Sequence, residues 1–220
     1  MKRVTVFAGH YGSGKTNIAV NYALGLKQSQ KDVVIADLDI VNPYFRTKDA
    51  KNVLEENNIR LISSPYANTN VDTPALPAEA YSVIHNREVS AVIDVGGDDR
   101  GALALGRFTD AIISEDNYEM LFVINKYRYL TRDAQSTLEV MKEIKKACKI
   151  SFTGIVNNSN IGDETTEQTV LDSVSYANEV SKLSSLPIRF TSVKEDLAYK
   201  LEDKIDNVMP IKLYVKQFLH

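Results

Sequence analysis

The 220-residue sequence predicts an α/β protein in three layers: a mainly parallel sheet of about seven strands with helices on both faces. Three observations predict it. Short apolar runs rich in Val, Ile and Phe alternate with longer segments of helical period, and unbroken apolar strands are those covered on both faces. The alternation runs the length of the chain, which calls for right-handed crossovers between parallel neighbours. No repeat, low-complexity tract or linker interrupts it, so 1–220 reads as one domain, large enough to bury roughly 70–75% of its unfolded surface.

The strand candidates are 4–8, 33–36, 60–62, 91–94, 121–125, 151–156 and 188–191. Between them the helical segments are 16–28, 48–57, 78–87, 101–113, 131–147 and 166–183. In 131–147, Leu138, Met141, Ile144 and Ala147 or Cys148 recur at three- and four-residue steps, which places them on one face. The polar stretch 63–77 is the longest segment without period, and loops of that length are usually functional. At the end of the chain, Ile211, Tyr214, Val215, Phe218 and Leu219 form an apolar face after Pro210, with Lys212 and Lys216 beside it; docking against the sheet is the expected use.

Composition narrows the function classes. With 44% hydrophobic and 25% charged residues and a formal charge of -3, the chain lacks the bulk positive charge of a nucleic-acid coat protein. One cysteine, Cys148, excludes an internal disulfide framework and any zinc or iron–sulfur site built from several cysteines of one chain. The histidines His10, His85 and His220 lie on separate elements without ligand spacing. No apolar run nears the roughly 18 residues of a spanning helix. The five residues 4–8 are too short for a signal-peptide core, so a cytoplasmic protein is expected.

The sharpest motif follows the first strand. Gly9-His10-Tyr11-Gly12-Ser13-Gly14-Lys15-Thr16 satisfies G-x-x-x-x-G-K-[ST] between a strand and a helix, the context the motif requires. Glycines let successive N–H groups turn around phosphate oxygens, and the positive end of the following helix adds to the field. Lys15 then reaches the β- and γ-phosphates, and the Thr16 hydroxyl ligates Mg2+. Asn17, next in line, joins the nucleotide-contacting set. Two further strands end in acids, Asp37-Leu38-Asp39 and Asp94-Val95-Gly96-Gly97. Carboxylates there hold Mg2+ through its waters, and a glycine offers its N–H to a γ-phosphate, although a lone acid at a strand end also serves as a turn residue or helix cap.

Taken together, the N-terminal Walker A loop at 9–16, the D-x-D at 37–39 and the D-x-x-G at 94–97 resemble the MinD/ParA group of deviant-Walker P-loop ATPases, within the CobQ/CobB/MinD/ParA set. The resemblance implies a P-loop NTPase fold, binding of Mg·ATP and slow hydrolysis that drives a switch. It implies that Lys15 is the phosphate lysine, Thr16 the Mg2+ ligand and Asp39 the acid that positions the attacking water. Asp94 becomes the acid bound to Mg2+ through water, and Gly97 the sensor of the γ-phosphate. It also implies a nucleotide-dependent homodimer and an unidentified protein partner, with neither nucleic acid nor membrane indicated.

The sequence departs from that group where the loop lysine stands, for His10 and Tyr11 occupy the lysine and glycine positions. His10 is read either as a phosphate or partner contact or as a plain loop residue. The run Asn125-Lys126-Tyr127-Arg128 begins like the N-K-x-D guanine motif but lacks its carboxylate, since Arg128 stands in that place, leaving Asn125 and Lys126 to close a strand and Arg128 or Arg132 as phosphate or partner contacts. The strand 153–158 resembles the one whose terminal asparagine contacts adenine, which points to Asn157 or, more plainly, to an asparagine closing a strand. Tyr44, Phe45 and Arg46 follow the D-x-D as a switch segment or as a Pro-started turn. The alternative function is an ATP-dependent small-molecule kinase, ligase or amidase-like transferase, its acceptor under the 63–77 loop near Tyr66, Asn68 and Asp72.

Overall fold

In chain order the elements are β1 (Val4–Ala8), α1 (Lys15–Lys27), β2 (Val33–Asp37), α2 (Lys51–Glu56), β3 (Arg60–Ile62), α3 (Ala78–His85), β4 (Ser90–Asp94), α4 (Asp99–Gly106), α5 (Thr109–Glu115), β5 (Tyr118–Ile124), α6 (Ala134–Cys148), β6 (Gly154–Asn157), α7 (Glu167–Ser184), β7 (Ile188–Lys194), α8 (Glu195–Ala198) and β8 (Val208–Ile211). The computed structural model describes residues 2–30, 32–39, 50–63, 78–97 and 99–215. The eight strands form one sheet in the order β3-β2-β4-β1-β5-β6-β7-β8, and every pairing is parallel.

Alternation within β1 shows why the sheet needs cover on both sides. Val4, Val6 and Ala8 enter one apolar cluster with residues of α3 to α7, whereas Phe7 enters the other with α1, α2 and Ile211. All five residues of β1 and of β2 are buried, as strands covered on two faces require. Order reverses at β1. The chain moves outward through β2 and β3, returns as β4 beside β1, and then crosses to β5 on the other side. Ligands of open α/β sheets bind beyond the strand C-termini at such a reversal. The residues that follow β1, β2, β4, β5 and β6 therefore share one edge.

Local signals set the helix ends. Asp133 caps α6 by accepting from Ser136 N at 2.8 Å, and Lys149 ends the helix with φ 57°. Thr166 and Thr169 cap α7 reciprocally. On α6 Met141, Ile144 and Cys148 are buried and Leu138 packs beside them, the face read from their spacing. Segment 101–113 departs from the single helix predicted. It is two helices, because Gly106 ends the first and Phe108, 2% exposed, turns into the core between them.

The sheet also has one strand more than predicted. β8 is four residues with Pro210 among them, a pattern that reads poorly as a strand; it is tolerated because β8 is the edge, where a missing N–H costs no inner pairing. From its end, residues 212–215 cross α1 in no regular helix, with Ile211 and Val215 buried; Phe218 and Leu219 lie outside the described residues.

At the N-terminal ends of the strands Arg3, just before the inner strand β1, ties three elements together. Its guanidinium, 8% exposed, donates to the carbonyls of Val83, Ile84, Asn86 and Val89 at 2.9–3.2 Å and pairs with Glu115. It thereby satisfies carbonyls around the end of α3 that have no intrahelical partner. The hydrogen bonds from Arg3 hold the Glu115 carboxyl below its ordinary range. Arg3→Ala leaves that carboxylate buried without its cation and is expected to lower the unfolding free energy at pH 7 by about 3–5 kcal/mol. A carboxyl ionised more readily in the fold contributes above its unfolded value near 4.3 and loses that contribution as pH falls through the folded one. The gap between the urea-unfolding midpoints of wild type and R3A should therefore narrow in acid, leaving the part due to the four carbonyl bonds.

Candidate functional site

β1 delivers the chain to the shared edge at Gly9, and the loop 9–14 reverses it into α1. Gly12 and Gly14 take φ of 75° and 88°, conformations that residues with a Cβ rarely adopt. Three of the loop carbonyls are held from different places. His10 O accepts from Ser13 N and from Lys15 Nζ, both at 3.1 Å; Gly12 O accepts from Arg128 Nε at 2.9 Å; Ser13 O accepts from Asn158 Nδ2 at 2.6 Å. In a planar trans peptide the C=O and the following N–H point opposite ways, so fastening Ser13 O to the β6 side turns the Gly14 N–H away from it. Thr16 and Asn17 stand in the first turn of α1, whose N–H groups have no intrahelical acceptor.

Two observations show that this loop fits a phosphate. The Ser13 hydroxyl is buried, with the residue 1% exposed, and makes no hydrogen bond among the described residues. A buried polar atom without a partner is costly unless a ligand or water supplies one. Next, the segment after β4 presses on the loop. A Cβ placed on Gly97 would stand 2.6 Å from Tyr11 N, 2.7 Å from Tyr11 Cα and 3.0 Å from Lys15 Nζ. An amide and an ammonium therefore converge where only glycine fits.

The acids gather at the same edge. Asp37 and Asp94 are direct register partners in the parallel pair β2–β4, and both are buried. Asp37 Oδ1 accepts from Asp39 N at 2.9 Å, and Asp39 lies over Gly96, its Cα and Oδ1 3.3 Å from where a Cβ there would stand. The donor set of Thr16, Asp37, Asp39 and Asp94 is all oxygen, which suits Mg2+. Among the described residues no group of three His, Cys, Asp or Glu forms a metal site by itself. A Mg2+ held chiefly by phosphate and water needs none.

Burial pushes the His10 imidazole below its ordinary 6.5, so the ring is neutral at pH 7. Its Nδ1 lies 2.9 Å from Tyr11 O, which can only accept, so Nδ1 carries the proton and Nε2 keeps a lone pair. A lone pair repels a phosphate oxygen. The role of His10 at the loop therefore falls to its carbonyl, which orients Lys15, and not to its ring.

The structure brings together Gly9 to Thr16, Asp39, Asp94 and Gly97, and separates two other predicted contacts. Asn157 is fully buried, and its amide is used internally: Nδ2 donates to Ser173 Oγ at 2.9 Å and Oδ1 accepts from Ser159 N and Oγ at 3.2 and 2.7 Å. It presents no edge to a base; its neighbour Asn158 is the asparagine that touches the phosphate loop. The Asn17 side chain, read as a nucleotide contact, is buried against the C-terminal segment, accepting from Tyr214 N and Val215 N and donating to Val215 O at 2.9–3.0 Å. Only its backbone faces the loop. Asp37, read in the sequence only as one of two acids at a strand end, has a positioning role of its own beneath Asp39, and Asn158, which had no separate signal, was missed. Tyr44, Phe45, Arg46, Tyr66, Asn68 and Asp72 lie outside the described residues.

A phosphate-cradling loop at the reversal point of a parallel sheet defines the P-loop NTPases. Within them this chain belongs to the CobQ/CobB/MinD/ParA nucleotide-binding domain family, whose model matches residues 4–200. No curated protein matches the sequence. Among solved structures the chain is similar to FtsY from Mycoplasma mycoides (19% identity, TM-score 0.60, 89% of this chain and 61% of that one). It is also similar to FtsY from Thermotoga maritima (20%, 0.56, 87% and 62%) and to the 54 kDa signal recognition particle protein of Aeropyrum pernix in complex with GDP (20%, 0.53, 86% and 40%). The chain thus spans about three fifths of the FtsY structures and two fifths of the third, and at these identities the likeness is one of fold.

Asn17 and, one turn on, Asn21 bind the backbone of 212–215 as a neighbouring strand would, Asn21 through both its amide groups to Lys212. Asn17→Ala removes three buried hydrogen bonds and is expected to cost about 1–3 kcal/mol. Limited trypsin digestion should then cut at Lys212 faster than in wild type.

Proposed function

We propose that the protein binds a nucleoside triphosphate with Mg2+, ATP in preference to GTP, and hydrolyses it slowly as a nucleotide switch. The observation that carries this reading is the convergence of Tyr11 N and Lys15 Nζ on Gly97, beside the unpartnered Ser13 hydroxyl. A γ-phosphate entering there meets the loop and the β4 segment at once, so its presence or loss changes how the two pack. That coupling suits a switch better than a fixed metabolic site.

Lys15 and the loop N–H groups would hold the phosphates, and Thr16 and Asp94 the Mg2+, which neutralises charge on the phosphate oxygens. Asp37 braces Asp39 through its N–H, and Asp39 faces the γ-phosphate position to orient the attacking water. The preference for ATP rests on chemistry at the ends of β5 and β6. Residues 125–128 and 157–160 contain no carboxylate to accept from guanine N1 and N2. Family membership supports nucleotide binding, while the GDP bound to the Aeropyrum relative makes the base the first thing to test.

Titration calorimetry with ATP and GTP tests the reading directly: ATP is expected to bind at least tenfold tighter, and tight GTP binding without ATP binding would reverse the assignment. Lys15→Ala should weaken ATP binding by about 10- to 100-fold, the loss of one charge-assisted contact. Asp39→Ala should spare binding and slow hydrolysis. Gly97→Ala adds a Cβ that collides with the Tyr11 backbone and crowds Lys15 Nζ, and should weaken triphosphate binding about tenfold while sparing diphosphate, because on this reading the γ-phosphate is the group that sits against Lys15 and Gly97.

A further inference from the structure

The turn after β5 is built on a buried asparagine. Asn125 Oδ1 accepts from Tyr127 N at 3.0 Å and Asn160 N at 3.3 Å, and its carbonyl accepts from Arg128 N at 3.1 Å and Thr131 Oγ1 at 2.7 Å. These bonds set the backbone of Arg128 with no ligand involved. Its side chain folds back over the phosphate loop, Nε on Gly12 O at 2.9 Å and the guanidinium 3.6–3.9 Å from where a Cβ on Gly12 would stand. The guanidinium is half-buried, and its two Nη groups make no hydrogen bond or ion pair among the described residues.

That placement is expensive for what it satisfies. A neutral carbonyl does not balance a guanidinium drawn out of water, and burial indeed pulls Arg128 below the ordinary arginine value. Guanidinium forks match phosphate oxygens, and a fork whose Nε is already anchored loses little freedom when its Nη groups bind. Lys15 is the loop's other cation, held on His10 O from the α1 side, whereas the His10 ring is neutral and points its proton at Tyr11 O, so it does not compete for phosphate oxygens.

We propose that Arg128 is a phosphate-binding residue supplied in cis: Nε locks it to Gly12 and the Nη groups take oxygens chiefly of the γ-phosphate. This rests on the nucleotide reading of the loop. In hydrolysis water oxygen bonds to the γ-phosphorus as the β–γ bridging P–O bond breaks, the electron pair leaves on the diphosphate, and the water protons pass to phosphate and solvent. A fixed cation beside those phosphates stabilises the charge that grows on the leaving oxygens. Arg128 thereby replaces a carboxylate expected at a base-reading position with a charge of opposite sign serving the phosphates.

The test compares ATP and ADP affinity and single-turnover ATP hydrolysis for wild type, Arg128→Ala and Arg128→Lys, with thermal unfolding in the absence of nucleotide. R128A is expected to weaken ATP binding about 10- to 100-fold, leave ADP within about threefold and slow hydrolysis by at least the same factor. R128K should recover part of the ATP affinity because the charge remains. An equal loss for ATP and ADP, or no loss, overturns the proposal, for then Arg128 only supports the loop or does nothing for it. If R128A melts lower than wild type, R128K decides: an unaltered ATP-to-ADP ratio in R128K overturns the proposal, and a reduced one supports it. Folded wild type that binds neither nucleotide overturns the nucleotide reading itself, whereas wild-type binding with R128A unchanged overturns the role of Arg128 alone.

Discussion

Three backbone carbonyls of one six-residue loop, those of His10, Gly12 and Ser13, set the geometry on which the site depends. Each is held by a side chain from a different part of the chain: Lys15 from α1, Arg128 from the turn after β5 and Asn158 from the end of β6. A glycine-containing loop is costly to order, and these contacts order it without a ligand. The cradle is therefore prepared in large part by its neighbours, α1 and the turns after β5 and β6. Two buried asparagines, Asn125 and Asn157, do not touch it but brace the turns that do.

From the other side of β1 the β4 segment closes on the same loop. Parallel pairing sets Asp94 beside both Phe7 and Asp37, so β1, β2 and β4 bring the loop and both acidic motifs to one level. Interiors packed at crystal-like density transmit small displacements. A group wedged between Lys15 and Gly97 cannot be accommodated without moving one of the two. On the far face α1 carries the C-terminal segment on Asn17 and Asn21, so the helix that begins at Lys15 also holds residues 212–215. One helix thus joins the candidate site to the end of the described chain.

Much of this was legible from residues alone, for identifiable reasons. Val4–Ala8 and Arg60–Ile62 are strands with the predicted bounds, since short apolar runs bounded by polar or glycine residues admit little else. The G-x-x-x-x-G-K-[ST] run lies between strand and helix as expected, because its glycines are required by backbone conformation. Less legible were features whose partner is distant in sequence. β8 carries a proline that only its edge position excuses, and the break at Gly106 and Phe108 shows only once the core that receives the phenylalanine exists.

Asparagine side chains mark the boundary most clearly. Asn17, Asn125, Asn157 and Asn158 are all buried polar groups near one edge, and composition or spacing cannot say which amide is spent inside and which reaches the loop. An amide donates and accepts equally well toward backbone, base or hydroxyl, so its role is set by whichever partner the fold brings within 3 Å. The order of elements, the two-sided sheet and the phosphate loop with its acids were determined by the sequence itself, because apolar period and glycine conformation are local. Tertiary structure alone decided that Asn157 turns inward, that Asn17 holds the C-terminal segment and that Arg128 lies across Gly12, because each depends on a contact more than a dozen residues away.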